Sequence, residues 1–106
     1  MSRDRRAYPR FPCELEISIG GRDGRYALTT RDVSMGGVFV FAREPLSLNQ
    51  SIDLSFEAGD HILNVQGVVV HCVRGAGFGV QFEAMDAEAE DRLTRFLHDV
   101  EAAAAA

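Results

Sequence analysis

The chain has 106 residues, 46% hydrophobic and 25% charged, a length and balance that fit one globular domain and exclude a disordered polymer. Its formal net charge of −5 argues against general binding to long nucleic acids or acidic membranes. No apolar run approaches the ~20 residues needed to cross a bilayer. The charged start Met1-Ser2-Arg3-Asp4-Arg5-Arg6 leads into no apolar segment, so no signal peptide is expected.

The first dozen residues show no periodicity. Pro9 and Pro12 hinder helix and strand ladder alike, so residues 1–12 read as a flexible arm. The arm carries Arg3, Arg5, Arg6 and Arg10 against Asp4 alone. A basic patch on an acidic protein suits a small anionic ligand better than a polyanion. All 11 basic residues are arginines, planar forks able to make paired hydrogen bonds and to stack.

Strands come next. Cys13, Leu15, Ile17 and Ile19 alternate with polar residues, a period of two. Gly20 to Gly24 is a turn cluster, and Tyr26, Leu28 and Thr30 mark a second strand. Asp32-Val33-Ser34-Met35-Gly36-Gly37 interrupts the pattern. Val38 to Phe41 is apolar on both faces and predicts a strand covered on both sides. Ile52, Leu54 and Phe56 mark another strand. His61 to Val73 is long for one, and Gly67 within it predicts a bulge or bend. Phe78, Val80 and Phe82 form the last.

From Asp86 the period changes. Leu93, Phe96, Leu97 and Val100 form one stripe of a helix, with Asp86 as N-cap and Glu88 and Glu90 at its positive end. Six short strands must close, or nearly close, to hide their edges. The expected fold is therefore mainly β: a six-stranded antiparallel barrel with a C-terminal α-helix over one opening. The barrel and helix are assigned to residues 13–101, and residues 102–106 to an alanine tail. Cys13 and Cys72 read as small buried thiols without a disulfide.

The chemistry concentrates in two places. Arg6 and Arg10, four apart on the arm, can converge on one ligand. Arginine pairs with the O6/N7 edge of guanine, clamps phosphate and stacks on purines. After one hairpin, Asp32 can accept from guanine N1–H and N2–H. Ser34 can donate to phosphate or base, and Gly36 and Gly37 let backbone approach closely.

In this order, Arg5-Arg6-Ala7-Tyr8-Pro9-Arg10 and Asp32-Val33-Ser34-Met35-Gly36-Gly37 resemble the signature of the PilZ domain family, Arg-x-x-x-Arg plus Asp/Asn-x-Ser-x-x-Gly. Gly77-Phe78-Gly79-Val80-Gln81-Phe82 resembles the family's Gly-Val-x-Phe strand. The resemblance implies a bacterial, cytoplasmic barrel of stand-alone adaptor type that binds cyclic di-GMP. Its implied ligand residues are Arg6, Arg10, Asp32, Ser34 and Gly37. It also implies that Arg5, just before the motif, accompanies a stacked pair of ligand molecules.

Other readings are weaker. Gly75-x-Gly77-x-Gly79 opens a strand, not a helix, and reads as a hairpin turn and not a phosphate loop. His61, His71 and His98 lack partners at metal spacing, so no metal and no cofactor are expected. Ser34 has no histidine partner and no paired acids occur, so no enzyme is expected. The expected mechanism is a receptor whose arm orders on cyclic di-GMP and changes the surface offered to a downstream protein. The alternative is a nucleotide-independent interaction module with the same barrel. A single-strand nucleic-acid binder is disfavoured by the charge and the lack of an aromatic ladder.

Overall fold

The computed structural model describes residues 8–44 and 46–105. Among these residues seven strands precede one helix: β1 (Phe11–Pro12), β2 (Glu16–Gly21), β3 (Gly24–Val33), β4 (Gly37–Phe41), β5 (Ser51–Ala58), β6 (His61–Val73), β7 (Gly77–Phe82) and α1 (Ala87–Ala105). Every pairing is antiparallel. The order β3-β2-β5-β6-β7-β4 closes on itself through β3–β4. This is the six-stranded barrel with a C-terminal helix that the alternation predicts, and closure removes the edges that an open sheet would expose.

β1 is a short continuation of β2 along the same edge of β3. Pro12 faces Asp32 while Glu16 faces Thr29, so four steps on one edge meet three on the other. The surplus residue forms a bulge at Cys13–Leu15. The buried Thr30 hydroxyl stitches this bulge, accepting from Leu15 N at 2.9 Å and donating to Cys13 O at 2.6 Å. The end of the predicted arm, Phe11–Pro12, thus lies against the sheet.

The core follows the period of two. Ile17, Ile19, Leu54, Val65, Val69 and Phe78 point into the barrel. Leu93 and Leu97 of α1 join this core, each contributing about 1.5–3 kcal/mol by burial. Asp86 caps the helix, its Oδ1 accepting from Ala89 N at 2.8 Å. The alanines continue α1 to Ala105, as the strongest helix-forming residue allows, so the last turn is helical where the sequence predicts a separate tail. No helix among the described residues is long and apolar enough to cross a membrane.

Two details differ from the sequence reading. Gly67 sits in regular register between Ile52 and Phe82; the β6 bulge lies between Val69 and His71 instead. Glycine at 67 answers to crowding, since a Cβ there would come within 2.6 Å of Val80 Cγ1 and 3.1 Å of Leu54 Cδ1. β4 is buried from Gly37 through Val40, and only Phe41 is exposed.

The cysteines also differ. Cys72, one residue from the end of β6, is exposed, its thiol 3.3 Å from Leu46 O. Cys13 is partly buried, and that burial pushes its thiol pKa up. Thiolate is the reactive form. Under mildly alkaline conditions Cys72 should react with a disulfide reagent at least ~10-fold faster than Cys13. Biphasic labelling that loses its fast phase in Cys72→Ser would bear this out.

Candidate ligand-binding cleft

β3 ends on Asp32-Val33 and the chain reverses into β4. Ser34 builds that reversal. Its N–H donates to Gly37 O at 2.8 Å, and its Oγ accepts from Gly36 N at 3.0 Å and Gly37 N at 3.1 Å. Ser34 is buried and its hydroxyl also lies 3.3 Å from Gly37 O, so its polar capacity is used within the turn. Gly37 has a packing reason of its own. A Cβ there would collide with the Val80 carbonyl on β7.

Asp32 lies beside this turn, its side chain only 12% exposed. It gathers two arginines. Arg10 donates to Oδ1 from Nε at 2.9 Å and from Nη2 at 2.8 Å. Arg31 donates from Nε to Oδ2 at 2.8 Å. The Arg31 guanidinium also lies over the Phe39 ring, 4.0 Å from its centroid. One buried carboxylate therefore fixes two cations at one rim.

The rim borders a cleft of about 630 Å³ on the outer face of the barrel, within the usual range for small-ligand sites. Arg10, Arg31, Ser34, Gly36 and Gly37 line it on the β3–β4 side, with Tyr8 packed on Gly36. Phe39, Gly79 and His71, which face one another across β4, β7 and β6, cross its floor. The bulge in β6 brings Val70 and His71, adjacent in sequence, to the same cleft. Arg10 and Arg31 give it positive charge on a protein of net charge −5.

Of the residues that the sequence singles out, Arg10, Asp32, Ser34, Gly36 and Gly37 come together here; Arg5 and Arg6 lie outside the described residues. Tyr8, Arg31, Phe39, His71 and Gly79 were not singled out as site residues. Tyr8 lies within the first motif and Arg31 directly precedes the second, which is the signal that could have flagged them. Among the described residues no group of three His, Cys, Asp or Glu is placed to hold a metal ion.

The family model of the PilZ domain matches residues 4–99. The chain belongs to the PilZ domain family. Solved PilZ structures share its fold. The PilZ domain of YcgR from Escherichia coli, solved with c-di-GMP, superposes with a TM-score of 0.77 at 14% identity, covering 94% of each chain. The PilZ domain of CeSA from a cellulose-synthesizing bacterium gives 0.70 at 18% identity, covering 88% of this chain and 98% of that one. The K. pneumonia MrkH–c-di-GMP complex gives 0.72 at 21% identity, covering 92% of this PilZ chain and 52% of MrkH. This chain thus spans about half of MrkH. A search of curated proteins returns no match.

Proposed function

We propose that this PilZ domain is a cytoplasmic bacterial receptor for cyclic di-GMP that acts as an adaptor. The observation that carries the reading is the Asp32 hub, which holds Arg10 and Arg31 at the rim of a cleft of about 630 Å³. A cyclic dinucleotide offers two purines and two phosphates. Guanidiniums serve both, by bidentate bonds to guanine O6/N7 or to phosphate oxygens and by stacking. Support also comes from relatives, since YcgR and MrkH are structures with c-di-GMP.

In this mechanism Arg6 and Arg10 close on guanine and phosphate. Asp32 keeps one acceptor position for a guanine N–H and otherwise aims the arginines. Ser34 shapes the turn, and Gly36 and Gly37 let the ligand approach the backbone. The arm then presents a different surface to a partner protein, an order–disorder device. Arg5 admits a second, stacked ligand molecule by offsetting its phosphate charge.

Isothermal titration with cyclic di-GMP, and with GTP as control, tests this. Heat from the cyclic dinucleotide alone is expected, with two ligands per chain if Arg5 acts as stated. One ligand per chain would remove the stacked pair. No heat, together with unmoved NMR shifts at Tyr8, Arg10 and Ser34, would leave a nucleotide-independent interaction module.

A further inference from the structure

Arg31 lies outside both sequence motifs, yet the structure holds it more firmly than an exposed arginine needs. Its Nε is tied to Asp32 Oδ2 at 2.8 Å, and one face of its guanidinium covers Phe39 at 4.0 Å from the ring centroid. Its side chain remains 52% exposed and lines the cleft, so the opposite face is open to it. Asp32 is the only acceptor it reaches among the described residues.

The floor beside it is kept empty. Gly79 lies between Phe39 and His71 in the cross-strand row, and a Cβ there would sit 3.4 Å from His71 Cβ and 3.9 Å from Phe39 Cδ2. With no side chain at 79, the cleft floor carries nothing between Phe39 and His71, beside the Arg31 guanidinium. A flat floor beside a planar cation suits a purine ring, which stacks on a guanidinium face.

We propose that Arg31 is a stacking platform for one guanine of the ligand, forming a three-layer stack of Phe39, Arg31 and base; this rests on the receptor reading above. Phe39 holds the plane of the guanidinium, and a held plane suits stacking. Asp32 takes the Nε–H and offsets part of the charge, which weakens a phosphate contact through the remaining Nη donors. Arg10, which shares the same carboxylate, is left for polar contacts to base edge or phosphate.

The test compares Arg31→Lys and Arg31→Gln by titration with cyclic di-GMP at low and high salt. Lysine keeps the charge and lacks the plane. Both variants should lose about tenfold or more in affinity, as for loss of a base–aromatic or base–guanidinium stack. Arg31→Lys should keep the wild-type salt slope. Both should melt like wild type, since the side chain is half exposed. Wild-type affinity in Arg31→Lys, with a shallower salt slope in Arg31→Gln, would mean a phosphate contact and overturn the stack. Wild-type affinity in both would overturn any ligand role for Arg31. A wild-type chain that itself fails to bind would refute the receptor reading, and the stack with it, an outcome distinct from the other two.

Discussion

Arg10→Ala is expected to remove detectable binding of cyclic di-GMP while leaving the barrel folded, and Arg6→Ala to do the same. Hydrogen bonds to charged groups contribute about 1.5–3 kcal/mol each, and a bidentate arginine makes two. From an affinity near ~1 μM, about −8 kcal/mol, loss of such a pair moves the dissociation constant beyond ~100 μM, outside ordinary calorimetry. The fold should survive. Arg10 is 47% exposed, and Asp32 keeps its bond to Arg31, so stability should fall by about 1 kcal/mol or less. Titration and thermal melting of the same samples separate the two effects. Titration curves that match wild type in both variants would refute the assignment of the arginine pair.

Gly37→Ala should have the opposite profile, a large loss of stability whatever the ligand does. The added methyl group would meet the Val80 carbonyl, a backbone atom that cannot swing aside without opening the β4–β7 ladder. Overpacking of this kind costs about 3 kcal/mol. For a domain of this size that lowers the melting temperature by roughly 15 °C. Gly59→Ala is the control. Nothing lies within 4 Å of its Cβ position, and only its φ of 67° resists a side chain, so its cost should be nearer ~1 kcal/mol. Melting followed by far-UV circular dichroism checks both. Equal melting temperatures for the two variants would show that the ladder yields more easily than the packing implies.

The barrel was legible because its signal is local. Ile17 and Ile19, or Ile52, Leu54 and Phe56, each declare a strand by alternation, and the switch to Leu93, Phe96 and Leu97 declares the helix. Single-residue insertions leave no such mark. The surplus residue at Cys13–Leu15 and the one at Val70 change only which partner a residue meets, and partners are not written in the strand itself. Gly67 reads as a bulge because glycine in a strand has several causes that look alike in sequence, and here the cause is the crowding of Val80 and Leu54.

The same distinction divides the site. Arg10, Asp32, Ser34, Gly36 and Gly37 belong to two short motifs and could be read directly. Phe39, Gly79 and His71 become neighbours only when β4, β7 and β6 pair. Arg31 could be read as a polar residue of a strand; its bond to Asp32 and its place over Phe39 are products of tertiary packing. For Ser34 the sequence shows a donor and acceptor at a turn, while the backbone partners it takes there, Gly36 and Gly37, are set by the fold of the turn.

Closure of the ring through β3–β4 is also what joins the rim of the cleft to its floor. Its floor is shared by β4, β7 and β6 and its rim by β3, so a chain that has lost the β3–β4 pairing has rim and floor apart. A ligand bound there stabilises only the closed form, by about 2.7 kcal/mol when its concentration is a hundred times its dissociation constant. Cellular proteases act on the opened population. Under the proposed function, a rise in the messenger therefore also lengthens the receptor's lifetime. A fast reading of the signal by occupancy is then joined by a slow one, kept in the abundance of the protein.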